Sequence, residues 1–137
     1  MLKKVDKALT SQNDIVLLVA RLLIAALFII AGYNAFKALG PSTTYFGRLG
    51  IPAPQIMTPF VAGYEVVGGV LVVIGFLTRI SALALAILVV FAALIAHTNF
   101  ADPNQVNHFL KCLAVIGGCL CLMITGPGAI SVDAKRR

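Results

Sequence analysis

Charge is scarce in this chain. Of 137 residues only 12% are Asp, Glu, Lys or Arg, while 60% are hydrophobic, against the roughly one-quarter charged content of soluble domains. That shortage excludes an ordinary soluble fold. Cysteine is nearly absent too: Cys112, Cys119 and Cys121 form no CxxC pair. All three fall inside one apolar run, away from the membrane surface where thiol exchange needs its partners, so they are expected to serve as small packing residues. The two histidines, His97 and His108, occur in no HxxxH or ExxH spacing, and no metal or haem site is expected. Nothing supports Ser/His/Asp hydrolysis, a Gly-rich phosphate loop or a nucleic-acid surface.

What the chain has in quantity is long apolar segments. Four of them, about 15–36, 58–76, 80–97 and 106–125, each suffice to cross a hydrocarbon core, which takes about 20 helical residues. They occupy most of the sequence and leave room for one domain only, 1–137, with basic tails at 1–14 and 126–137. The first run is about twice the length of a secretory h-region and is read as a retained helix. Leu77, Thr78 and Arg79 separate the second and third runs, and Asp102-Pro103 marks a turn before the fourth. Short connections predict an all-α, up-down-up-down bundle of four transmembrane helices. The 38–57 segment, broken by Gly40, Pro41, Gly47, Gly50, Pro52 and Pro54, is expected not to form a continuous helix and to lie on or dip into the outer face.

The net charge of +6 is a topology signal. Eight basic residues (Lys3, Lys4, Lys7, Arg21, Arg79, Lys135, Arg136, Arg137) fall on the side of the termini and three (Lys37, Arg48, Lys111) on the other. The positive-inside rule therefore predicts both termini in the cytoplasm.

Ionisable groups inside apolar runs mark a site. Glu65 and Lys111 are expected about two turns below the outer surface, beside Lys37 and His97 at helix ends. Asn104, Asn107, His108 and Lys111 repeat at i, i+3, i+4, i+7 and share one helix face. The expected site is thus a polar pocket in the outer half of the bundle holding Lys37, Glu65, His97, Asn107, His108 and Lys111. A Glu65–Lys111 ion pair tying the second and fourth spans is the competing structural reading. Arg21 and Arg79 are read as structural charges, Arg21 snorkelling or pairing with Asp14 or Asp133.

Taken in order, Arg21-Leu22-Leu23, Gly32 to Lys37, Phe46-Gly47-Arg48-Leu49-Gly50-Ile51-Pro52, Glu65-x-x-Gly68-Gly69, Gly75-x-x-Thr78-Arg79, His97, Asn107-x-x-Leu110-Lys111 and Gly126-Pro127-Gly128-x-x-Ser131-x-Asp133 resemble the DoxX family of small four-helix membrane proteins. The resemblance implies a bacterial cytoplasmic (inner) membrane location and an association with redox or stress complexes. From it and the polar pocket two functions are expected. One is an accessory or catalytic subunit that binds a quinone or another small amphipathic molecule. The other is a non-enzymatic anchor for a protein complex. The lipid bilayer is the partner common to both, and transport is not expected of four unbroken spans.

Overall fold

The structure, a computed structural model, describes residues 1–136. Among these residues the only regular elements are helices: α1 Leu2–Thr10, α2 Asn13–Lys37, α3 Leu39–Arg48, α4 Pro54–Ile74, α5 Thr78–Ala96, α6 Pro103–Thr125 and α7 Val132–Lys135. Four of them, α2, α4, α5 and α6, are long and apolar enough to cross a membrane. At 25 residues, α2 is about 37 Å long, more than a hydrocarbon core of about 30 Å requires. The spans alternate in direction, so both termini lie at one end of the bundle, the terminal end, and the α2–α4 and α5–α6 connections lie at the distal end.

The 38–57 segment is not one continuous helix, as expected, but its first half forms a ten-residue helix, α3. Gly40 and Pro41 fall in its first turn, where N–H groups have no helical acceptor and proline costs nothing, and the remaining breakers lie at or beyond its last turn. Likewise α4 begins at Pro54, four residues earlier than expected, with proline again in the opening turn. The first span has no side-chain N-cap; Asp14, in its first turn, accepts the Ala129 N–H at 2.9 Å.

Packing follows the distribution of small residues. Helices α2 and α4 form the most extensive pair, followed by α5 with α6; α4 meets α5 and α3, and α2 touches α6 over a short length. A Cβ on Gly32 would lie 2.6 Å from the Ala62 carbonyl oxygen, so glycine there is what allows α2 and α4 to cross closely. The Tyr64 hydroxyl donates to the Ala84 carbonyl at 2.8 Å and ties α4 to α5. Between the spans, Ala25, Phe28, Val72, Leu85, Val89, Cys119 and Leu122 form the buried core. Of the three cysteines only Cys119 is fully buried; Cys121 is exposed on the outside of α6.

The basic tail at 126–137 is, through residue 136, a folded belt. It closes the terminal end. The Asp133 N–H donates to the Gly75 carbonyl at 2.9 Å, and its carboxylate accepts the Leu77 and Thr78 N–H groups, each at 2.9 Å. Leu77, the N-cap residue of α5, has φ 48° and no side chain able to cap; the strained turn is thus capped from the C-terminal belt. Burial by itself would raise the Asp133 carboxyl, but the Thr78 and Leu77 donors and the nearby Arg136 cation outweigh it and hold the group below the usual carboxylate range. Arg79 donates through Nη1 to the Met123 carbonyl at 2.9 Å and to that of Ile124, two of the last carbonyls of α6, which lack helical donors. At the N-terminus, α1 buries nothing. Leu2, Val5 and Leu9 line one side of it and Lys3, Lys4 and Lys7 the other, the pattern of a helix lying in a membrane interface.

Candidate functional site

Arg21 sits deepest among the charged groups at the terminal end, 1% exposed. Its Nη2 donates to the Ile130 carbonyl at 2.7 Å, and its Nε and Nη1 have no partner among the described residues. Neither expected carboxylate bonds it directly. Asp133 supplies a Coulombic contribution, while Asp14 is committed to Ala129. Gly75 has φ 71°, and a Cβ there would collide with Arg21 Nη1 and with Ser131; only glycine admits the guanidinium. Arg21 therefore fastens the belt to α2 and faces no open site.

In the distal half the small side chains of Ala31 and Ala35 on α2 leave room beside α4, and α3 lies over the space. The result is a crevice of about 410 Å³ walled by Ala31, Ala35, Val61 and Glu65 and roofed by Pro41, Ser42, Tyr45 and Phe46. The Tyr45 and Phe46 rings stand 6.4 Å apart. Glu65 is half-buried, beside the close crossing at Gly32, whose would-be Cβ lies 3.2 Å from Glu65 Cβ. Apart from the Ser42 hydroxyl and the phenol of Tyr45, it is the polar group of an otherwise apolar wall.

The other expected site residues fall in three places. His97 and His108 stack across the α5–α6 turn, centroids 5.1 Å apart and planes 23° apart, and His97 Nδ1 is 2.9 Å from Gln105 Oε1. Lys37 is exposed at the distal end of α2 with its ammonium 6.0 Å from the Tyr33 ring centroid. Asn107 and Lys111 are exposed on α6. The expected Glu65–Lys111 ion pair is not formed among the described residues, because α4 and α6 hardly meet. Matched depth placed the two residues at one level without placing them on adjoining helices.

Register nevertheless relates α6 to the crevice. Helices α2 and α6 meet where a Cβ on Gly118 would lie 3.6 Å from Ile24 Cδ1. Seven and eleven residues return a helix to nearly the same face. Lys111 and Asn107 precede Gly118 by these intervals, and Ala31 and Ala35 follow Ile24 by them. The polar face of α6 and the crevice wall of α2 thus continue the two faces that touch at Ile24 and Gly118. Helices α2 and α6 touch over a short length only, and the residues that line the Glu65 crevice come from α2, α3 and α4. Sequence reasoning missed the contribution of α3 and of Ala31 and Ala35; the signal was an i, i+4 pair of small residues opposite an amphipathic segment carrying two aromatics.

A profile of the DoxX family matches residues 16–98, from α2 through α5. The chain belongs to the DoxX family. The match takes in Arg21, Glu65 and His97, while the α6 stripe and the C-terminal belt lie beyond it. Among curated relatives of this DoxX-family chain, the inner membrane protein YqjF of Escherichia coli (strain K12) is 40% identical over 121 residues, 88% of this chain and 92% of the relative. The inner membrane protein YphA of the same organism is 33% identical over 135 residues, covering 91% and 93%. "Putative oxidoreductase CatD" of Bacillus subtilis (strain 168) is 30% identical over 116 residues, covering 85% and 83%. No solved structure matches. The chain is a multi-pass integral protein of the bacterial inner membrane.

Proposed function

We propose that this DoxX-family protein is an accessory subunit of a redox- or stress-associated membrane system. Its distal crevice would hold the head group of a quinone-like or similarly flat amphipathic molecule, with both termini in the cytoplasm. The observation that carries this reading is Glu65: a half-buried carboxylate in a crevice of about 410 Å³, beyond the reach of Lys111. A carboxylate held in an apolar wall at membrane depth is costly unless something donates to it. A quinol hydroxyl is such a donor, and Lys111 and Asn107, on the α6 face in register with Ala31 and Ala35, would suit the carbonyl oxygen of the oxidised form. Tyr45 and Phe46 offer ring faces to a planar head group, and an isoprenoid tail would leave between α2 and α6. The stacked His97–His108 pair stands at the same distal end, at the α5–α6 turn. The name of CatD lends support to a redox setting.

Protein purified in mild detergent and extracted for mass spectrometry is expected to carry a quinone or a comparable lipophilic ring compound. Glu65→Gln is expected to weaken binding of a quinol analogue about ten-fold, the effect of losing one charge-assisted hydrogen bond, with the melting temperature held. Well-folded wild type that binds no such analogue would leave the bundle as a membrane anchor for partner proteins.

A further inference from the structure

The terminal end carries a second cavity that the distal site does not use. It has a volume of about 380 Å³ and is bounded by Leu77, Ile80 and Pro127 on its apolar side and by Thr78, Arg79, Asp133 and Arg136 on its polar side. Four observations describe what would suit it. Arg136 is held in place by its guanidinium 4.9 Å over the Phe76 ring, and the Arg79 hydrogen bonds among the described residues use Nη1 alone. Both oxygens of Asp133 accept backbone N–H groups, so its charge is turned towards the start of α5. Thr78 is 0% exposed, and its hydroxyl lies beside the Asp133 carboxylate. Leu77 and Ile80 are exposed to the extent of 41% and 66%, on the side where the apolar belt of the bundle begins.

We propose that this cavity binds the phosphate of an acidic phospholipid. Arg79 and Arg136 flank the phosphate, and Leu77 and Ile80 lie against the first segments of the acyl chains. Two guanidinium forks suit phosphate oxygens better than any other group a membrane offers. The setting agrees: among the described residues seven of the ten basic ones, against three of the five acidic ones, lie at this end. Such a charge balance draws anionic lipid to the surface, and the cavity gives one lipid a fixed place there. The site is independent of the distal crevice.

The test is native mass spectrometry of the full chain with phosphatidylglycerol and phosphatidylcholine supplied together at fixed ionic strength. Phosphatidylglycerol is expected to be retained in preference. Arg136→Gln should lower its retention about five-fold, the effect of one basic contact at the surface, and Arg136→Lys should lower it less. Lys3→Gln removes the same charge from α1 and should leave retention unchanged. Melting temperatures taken alongside confirm that each variant is folded. No preference in the wild type, or equal losses in Arg136→Gln and Lys3→Gln, would reduce the effect to diffuse attraction and overturn the proposal. Displacement of the lipid by millimolar inorganic phosphate would assign the site to the free ion and overturn the lipid assignment.

Discussion

Arg21 shows what a single residue demands of its surroundings. A guanidinium that is 1% exposed needs space, an acceptor and compensation for its charge. Gly75 supplies the space, Ile130 the acceptor and Asp133 the opposite charge. Replacing Arg21 by Ala removes a charge-assisted hydrogen bond and leaves a void, and a loss of about 3 kcal/mol is expected. Gly75→Ala should cost about 2–4 kcal/mol, since it forces both a positive φ and an overlap with Arg21. Melting of the purified variants in detergent checks both, and an unchanged Gly75→Ala midpoint would show that the guanidinium moves aside at no cost. At this scale the sequence told depth but not direction. Counting residues along α4 and α6 put Glu65 and Lys111 at one level, yet which helices adjoin depends on packing that no single run encodes. His97 and His108 were legible together because one short turn joins their helices.

Among the elements, the four spans were readable because each is a run of about 20 apolar residues with nothing to compete. The helix α3 was not, since Gly and Pro count as breakers in composition, while their cost depends on the turn they occupy. The belt was illegible for another reason: its hydrogen bonds join residues 55 to 115 positions apart. One of these contacts makes the α4–α5 turn sensitive to acid. The Asp133 carboxyl titrates below its ordinary value, so its contribution to stability is complete above the unfolded value of about 3.9 and is lost as pH falls through the lower folded one. Wild type should lose melting temperature below about pH 4 more steeply than Asp133→Asn, which should begin less stable and respond less. Parallel pH profiles would mean that the cap contributes through neutral hydrogen bonds alone.

For the whole molecule, the bundle is built asymmetrically. Its terminal half is closed by a packed core and the belt, and its distal half holds the Glu65 crevice between α2 and α4 under the cover of α3. We propose that the closed end faces the cytoplasm, the orientation that the positive-inside rule predicts from eight basic residues assigned to the side of the termini and three to the other. Reporter fusions after residue 137 should be active only in cytoplasmic assays, and those inserted at 49–53 only in periplasmic ones; the reverse result would invert the placement of the ligand crevice. The belt also orders events in time. The ribosome makes Arg21 early and its acceptor Ile130 more than a hundred residues later, so α2 enters the bilayer with its cation uncovered and stays so until the belt emerges. Nascent chains halted at residue 125 should therefore remain open to proteases that the finished protein resists, and completion of the C-terminus becomes the step at which the membrane's quality-control machinery first meets a finished substrate.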